Sequence, residues 1–223
     1  MMIAYIFPSR SRPAKFFKTL DNIKIFSESD NYFVWAKLDE DDETMNNPEV
    51  IEKIKAEHPE VTVKWGISES KVHAVNRSLE DLPECDILII QSDDIVWDMV
   101  GYDNEIRNAF EKHFPGLDGT VHFPEENAAR RTIIVSMVGI NLYRKLGYLY
   151  HPDFVSVYCD NHFTEMTMAM KKYVYIDKTI FSHHHPIWQK TDWDELYRLN
   201  EGAELYKKDR DTFTRLKANN FGL

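Results

Sequence analysis

Short apolar runs alternate with longer amphipathic stretches through the first 95 residues. Ile3-Ala4-Tyr5-Ile6-Phe7 is continuously apolar and closed by Pro8, the pattern of a strand buried on both faces. The loop Ser9-Arg10-Ser11-Arg12 leads to Pro13, which suits the first turn of a helix. Phe16, Leu20, Ile23 and Phe26 then recur at helical spacing. Tyr32-Phe33-Val34-Trp35-Ala36 is aromatic and β-branched and predicts a second strand, running into Asp39-Glu40-Asp41-Asp42. Asn47-Pro48 opens a helix with Val50, Ile51 and Ile54 on one face. Val61-Thr62-Val63-Lys64-Trp65 predicts a third strand. Ser68 is the expected cap of the next helix, where Val72, Val75, Asn76 and Leu79 keep the helical period before Pro83 ends it. Four aliphatic residues, Ile87-Leu88-Ile89-Ile90, form a fourth strand that runs straight into Gln91-Ser92-Asp93-Asp94.

The second half is less regular. Ile106, Ala109 and Phe110 predict a helix ending near His113, broken by Phe114-Pro115-Gly116. Thr120-Val121-His122-Phe123 reads as a short strand, residues 125–131 as a polar mobile loop ending in Arg130-Arg131, and residues 132–138 as a strong strand. A short helix is expected from Asn141 to a stop at Gly147, and another from about Asp160 carrying Phe163, Met166, Thr167 and Met170. Tyr173-Val174-Tyr175-Ile176 is a strand, and Ile180-Phe181 leads into Ser182-His183-His184-His185-Pro186. Residues 193–217 predict a helical tail docking through Leu196, Leu199, Ala203 and Tyr206. Strands alternating with helices imply right-handed βαβ units: an α/β domain with a mostly parallel central sheet and helices on both faces.

Composition narrows the function. The chain has 223 residues, 43% hydrophobic and 29% charged, enough for one sizeable core. A net charge of -10 argues against general nucleic-acid binding. Cys85 and Cys159 make no disulfide framework, so a reducing compartment is expected. The first eight residues lack the basic lead of a signal peptide, and no run approaches the roughly 20 apolar residues of a membrane span. A cytoplasmic, soluble protein is expected.

Several residue groups suit chemistry. Asp93 and Asp94 follow a buried strand, where open α/β sheets bind ligands, and paired carboxylates suit a hard divalent cation. The same residues also suit a cap or a turn. In the His cluster, alternation points His183 and His185 to one side and His184 to the other, offering a metal ligand or a polar strand end. Asp160 reads as a helix N-cap or as a general base. One of the acidic residues 39–42 lies where a Rossmann-like fold offers a carboxylate to a nucleoside. No GxxxxGK[ST], GxGxxG or G-x-S-x-G motif is present, so a nucleotide phosphate would need a metal and basic side chains.

In order along the chain, these motifs resemble a GT-A fold glycosyltransferase, most similar to glycosyltransferase family 2. Phe7-Pro8-Ser9-Arg10-Ser11-Arg12-Pro13 resembles the family's nucleotide-binding start, and Lys71-Val72-His73-Ala74-Val75-Asn76 its K-x-x-A-x-N helix. Gln91-Ser92-Asp93-Asp94 falls at its D-x-D-D, with Gln91 in place of the first aspartate. The stretch from Gly139 through Asn141 and Arg144 to Gly147 is similar to its acceptor-side segment. Cys159-Asp160 stands at its E-D pair, with Cys159 in place of glutamate, and the His cluster falls where several members supply a late metal ligand.

The resemblance implies a metal-dependent inverting transfer of a sugar from a nucleotide sugar, a UDP-sugar foremost, to a hydroxyl acceptor. It places Pro8, Ser9, Arg10, Arg12, Asp39, Asp41, Lys71, Ser92 and Arg131 around the donor nucleotide. Asp42 is an alternative to Asp39 and Asp41. Asp93 would be the main metal ligand, with Asp94 beside it and His183 or His185 completing the shell around Mn2+ or Mg2+. Asp160 would be the catalytic base, and Arg130 or Arg131 would close over the diphosphate. Residues 1–190 form the implied transferase domain, with a nucleotide half to about 97 and an acceptor half from about 98, and residues 191–223 a C-terminal extension. A nucleotidyltransferase and a non-catalytic nucleotide- or sugar-binding protein of the same fold are the alternatives.

Overall fold

The computed structural model describes residues 1–125 and 132–223, with the backbone alone at Trp188. The chain runs β1 (Ile3–Pro8), α1 (Pro13–Phe26), β2 (Tyr32–Asp39), α2 (Pro48–Glu57), β3 (Val61–Gly66), α3 (Lys71–Asn76), β4 (Ile87–Ile90) and β5 (Ile95–Trp97). It continues with α4 (Tyr102–His113), β6 (Thr120–His122), β7 (Met137–Gly139), α5 (Ile140–Leu146), α6 (Cys159–Ala169), β8 (Tyr173–Tyr175) and β9 (Phe181–His183). It closes with α7 (Glu195–Asn200) and α8 (Ala203–Ala218).

The central sheet is ordered β3-β2-β1-β4-β7-β6-β8. β1 pairs in parallel with β2 and β4, and only β7 runs antiparallel to its neighbours. Alternation along β1 fixes the two layers. Ile3, Tyr5 and Phe7 pack with Phe16, Leu20 and Ile23 of α1 and Phe110 of α4. Ala4 and Ile6 pack with Val72 and Val75 of α3 and Phe163 of α6. Every β1 side chain from Ile3 to Phe7 is buried, as the continuous apolar run requires. The chain leaves β1 toward β2 on one side and returns to β4 on the other. The carboxyl ends of β1 and β4 therefore flank a topological switch point, where such sheets bind ligands.

Local signals explain most boundaries. Pro13 and Pro48 occupy first-turn positions, and the Asn47 side chain accepts from Val50 N at 3.1 Å. Gly147 ends α5 at φ 77°, a left-handed conformation suited to glycine. A Cβ on Gly139 would run into the Leu117 carbonyl, so glycine is what lets β7 turn into α5 there.

Four expectations need correction. Ser70, not Ser68, caps α3, accepting from His73 N at 3.0 Å, and α3 ends at Asn76 rather than near Pro83. Residues 132–136 are not strand; β7 begins only at Met137. The apolar run there reflects burial: Ile133 is wholly buried, and its N–H donates to Thr164 Oγ1 at 2.9 Å. The tail breaks at Gly202 into two helices that dock through Tyr197, Asp209 and Leu216, while Leu199 is 64% exposed. β5 and β9 also form a separate antiparallel ribbon, with Ile95 opposite His183, which the sequence pattern did not predict. No helix among the described residues is long and apolar enough to cross a membrane.

Candidate active site

Three loops converge beyond the carboxyl ends of β1, β2 and β4. The first is the 9–12 loop that links β1 to α1. Arg10 Nη1 donates to Asp39 Oδ2 at 2.9 Å and, with Nη2, forks onto Asp41 at 2.7 and 3.1 Å. Asp39 also accepts from Ser68 Oγ at 2.6 Å, so it is fixed from two sides at the end of β2. Asp42 is buried and caps the loop, accepting from Ser11 N at 2.6 Å and Thr44 Oγ1 at 2.7 Å. Pro8 ends β1, and Ser9 Oγ lies 3.4 Å from Asp93.

Arg12 joins this loop to the end of β4. Its Nη1 donates to Asp93 Oδ1 at 2.7 Å. Its Nε and Nη2 form a two-point clasp with Asp194, at 2.8 and 2.7 Å, and its guanidinium stacks 4.0 Å from the Tyr197 ring. Burial, reinforced by the Asp94 charge, pushes Asp93 up to about 6 in spite of Arg12. Asp93 thus faces a cation of the chain itself.

Asp94 faces the other way. Its Oδ2 accepts from Tyr197 Oη at 3.0 Å and lies 3.4 Å from His183 Nε2, and its Oδ1 accepts from Ser92 Oγ. Burial opposes its charge, but His183, Ser92 and Lys71 outweigh it and hold the carboxyl well below the usual range. Burial likewise opposes the charge on His183, yet Asp94 and Glu125 push it up to about 9. The β5–β9 ribbon is what brings His183 here. His185 shares that side of the strand, with ring centroids 5.2 Å apart, but its Nε2 meets Glu201 Oε1 at 2.7 Å and its Nδ1 accepts from Ile187 N. A cavity lined by Lys15, Lys18, Asn22 and His184 opens against Asp93 and Asp94.

Lys71 and Asp160 stand across the cleft. Lys71 begins α3 and keeps an exposed side chain, while Asp160 lies in the first turn of α6. The cleft walls oppose the charge on Lys71, but Cys159, Asp160, Asp94 and Glu201 outweigh them and raise its pKa. Asn76 ties α3 to the loop after α5: its Nδ2 donates to Tyr150 O at 2.6 Å and its Oδ1 accepts from Leu149 N at 3.0 Å. Asp209 of α8 is wholly buried and accepts from the amides of Val155, Ser156 and Val157 at 3.0, 2.8 and 2.9 Å. That grip fixes the loop leading into Asp160, and no sequence pattern announced it.

The two departures from the family motif are structural residues here. Gln91 is wholly buried; its Nε2 donates to Ser92 O and Ile95 O, and its Oε1 accepts from Trp97 Nε1 at 3.1 Å. Cys159 Sγ donates to Ser156 O at 3.3 Å, and burial pushes its thiol up to about 12.

Among the described residues, no group of three or more His, Cys, Asp or Glu could by itself hold a metal ion. A Mg2+-type ion bound to substrate phosphates needs only one or two protein ligands. Ligands at ~2.1 Å and right angles stand ~3 Å apart. Asp94 Oδ2 and His183 Nε2, 3.4 Å apart, have that spacing, but here they form an ion pair with each other, and Asp94 Oδ2 also accepts from Tyr197 Oη. Asp93 and His185 are likewise engaged, with Arg12 and Glu201. Arg130 and Arg131 lie outside the described residues.

The fold aligns with solved structures. The mannosyltransferase PcManGT from Pyrobaculum calidifontis, in complex with GDP-Man and Mn2+, matches at TM-score 0.63 and 19% identity. That alignment covers 79% of this chain and 54% of the other, so this chain spans about half its length. The chain has the GT-A fold. S. aureus TarS 1-349 in complex with UDP-GlcNAc matches at TM-score 0.62 and 14% identity, over 94% of this chain and 70% of that one. The 4-diphosphocytidyl-2C-methyl-D-erythritolsynthase from Anaerococcus prevotii matches at 0.53 and 12%, over 78% and 86%. Identities this low establish the GT-A fold and nothing finer. No protein-family model and no curated sequence matches the chain.

Proposed function

We propose that the chain is a metal-dependent inverting glycosyltransferase that moves a sugar from a nucleotide sugar to a hydroxyl acceptor. The observation that carries this reading is the meeting of Asp94 and His183, 3.4 Å apart, on a cleft shared with Lys71 and Asp160 in a GT-A fold. Arg10, Asp39 and Asp41 hold the nucleoside at the end of β2. Arg12 exchanges its Asp194 clasp for the diphosphate, an anion of similar two-point geometry. Asp94 and His183 would hold Mn2+ or Mg2+, whose charge offsets that growing on the leaving diphosphate. Lys71, kept protonated by its carboxylate neighbours, adds a second cation there.

Asp160 takes the proton of the acceptor hydroxyl. That oxygen's electron pair forms the new bond to the anomeric carbon. The bond from this carbon to the diphosphate oxygen breaks, and its electrons leave with the nucleoside diphosphate. A single displacement from the opposite face inverts the configuration.

Nucleotidyl transfer is the second reading, motivated by the diphosphocytidyl synthase that shares the fold. Purified chain incubated with UDP-, GDP-, CMP- and dTDP-sugars and Mn2+ tests both. The lead reading expects one sugar nucleotide to be consumed, with turnover falling at least ~100-fold in Asp160→Asn while donor binding persists. Label incorporated from a nucleoside triphosphate instead would support the second reading.

A further inference from the structure

The chain's own tail occupies the guanidinium of Arg12. The Arg12 side chain is only 9% exposed. Its Nε and Nη2, the paired edge that grips a phosphate, hold Asp194 at 2.8 and 2.7 Å. Its Nη1 holds Asp93 at 2.7 Å, and the Tyr197 ring lies 4.0 Å away over one face. Lys15, a second cation at this corner, also reaches Asp194, at 3.5 Å. A carboxylate and a phosphate group present two oxygens to a guanidinium in much the same way. Asp194 therefore stands where an oxygen pair of a diphosphate would sit.

Polar anchors, not a core, hold α7 on the site. Asp194 caps the helix, Tyr197 Oη donates to Asp94 Oδ2 at 3.0 Å, and Glu201 just beyond it meets His185 Nε2 at 2.7 Å. Tyr197 is the buried side chain of α7, while Leu199 is 64% and neighbouring Trp193 45% exposed. Beyond Gly202, α8 is fastened separately through Asp209 and Leu216. The 194–201 segment can thus leave the cleft with α8 in place. Partly exposed ion pairs are weak, and a diphosphate brings more charge to Arg12 than one carboxylate does.

We propose that residues 194–201 are an autoinhibitory strap: Asp194 occupies the diphosphate position on Arg12, and a nucleoside diphosphate binds only when α7 swings away. The same motion takes the Tyr197 hydroxyl off Asp94. This inference rests on the proposed function for the role of Arg12. A strap closed about nine-tenths of the time weakens apparent affinity about tenfold.

The test titrates UDP and GDP, with and without Mn2+, and inorganic pyrophosphate without metal, into the full chain. Parent, Asp194→Asn, Glu201→Gln and Glu195→Gln are compared under matched conditions, and hydrogen exchange is followed at residues 195–201. Asparagine keeps the helix cap but not the charge that holds Arg12. Asp194→Asn should bind at least one probe on the order of tenfold more tightly than the parent, and Glu201→Gln, which loosens the far end, roughly threefold. Glu195→Gln removes the same charge from an exposed position in the first turn of α7 and should bind as the parent does. In the parent, bound probe should speed exchange across 195–201.

Four results would overturn the proposal: Asp194→Asn binds no more tightly than the parent; Glu195→Gln tightens binding as much as Asp194→Asn; bound probe slows exchange across 195–201 or leaves it unchanged; or no probe binds parent or variants. Should Asp194→Asn fail to fold, Glu201→Gln and the exchange of the parent decide. Turnover enters none of these measurements. A strap displaced by pyrophosphate in a chain that transfers no sugar leaves this inference standing and removes the proposed activity. Sugar transfer with α7 held in place does the reverse.

Discussion

Lys37 shows how much one side chain on this sheet can cost. It lies in the middle of the molecule, 1% exposed, and its Nζ donates to Val75 O at 2.5 Å. Burial, with Arg77 nearby, pushes its amine down to about 6, against roughly 10.4 in an unfolded chain. Between those values the unfolded chain binds the extra proton. Stability through Lys37 therefore rises with pH, by up to about 1.4 kcal/mol per unit. Lys37→Met removes the titration, and the unpaired Val75 carbonyl costs only ~1–3 kcal/mol. We expect Lys37→Met to melt higher at pH 7, with the gap to the parent shrinking toward pH 10; thermal melts across that range check it, and a constant gap contradicts it. His183 works with the opposite sign. Its pKa is raised to about 9, so the stability it contributes is present below its ordinary value and lost as pH climbs through 9. Subtracting variant from parent isolates Lys37. Gln91 makes the complementary point. Its amide both donates and accepts within the buried turn, which a carboxylate cannot do, so the neutral residue at a motif aspartate is explained by the turn into β5.

Elements carry the site through contacts far apart in sequence. Asp209 on α8 accepts three buried amides of the 155–157 loop, and Val72 N of α3 donates to Val155 O on the same loop at 3.1 Å. Asp209→Ala would leave those amides unpaired, at a cost of about 3 kcal/mol or more. It should lower Tm by several degrees and speed hydrogen exchange at residues 155–157; unchanged exchange there would show that α8 does not hold the loop. The elements legible in sequence were those with local signals. The β1 run, the Pro13 and Pro48 starts and the Gly147 stop each act within a few residues. The β5–β9 ribbon was not legible, because Ile95 and His183 are too distant for any period to join them. The tail misled for a related reason. Its docking is made by a tyrosine, an aspartate and one leucine, not by an apolar stripe.

At the scale of the molecule, the switch point between β1 and β4 gathers what the motifs scattered. Arg12, Asp93, Asp94 and Lys71 were all marked in sequence as one site, and all lie on one cleft. Their division of labour was not legible. Asp93 pairs with Arg12 and Asp94 with His183, a split set by the direction of two adjacent side chains leaving the strand end. Glu125 was read only as the first residue of a polar loop, and its contact with His183 was not legible because no sequence period joins two residues so far apart. The C-terminal residues Asp194, Tyr197 and Glu201 were read only as part of a helical tail docking through other positions, yet they pack directly on Arg12, Asp94 and His185.

In the proposed reaction Asp94 and His183 would serve a donor diphosphate through a divalent cation. Calorimetric titration of UDP and GDP into the parent and Asp94→Asn, with and without Mn2+, tests it most directly. One nucleoside diphosphate should bind the parent at least ~10-fold more tightly with Mn2+, a difference of about 1.4 kcal/mol, and Asp94→Asn should abolish this gain. Affinity that ignores both Mn2+ and Asp94, or no binding of either nucleotide, would contradict it.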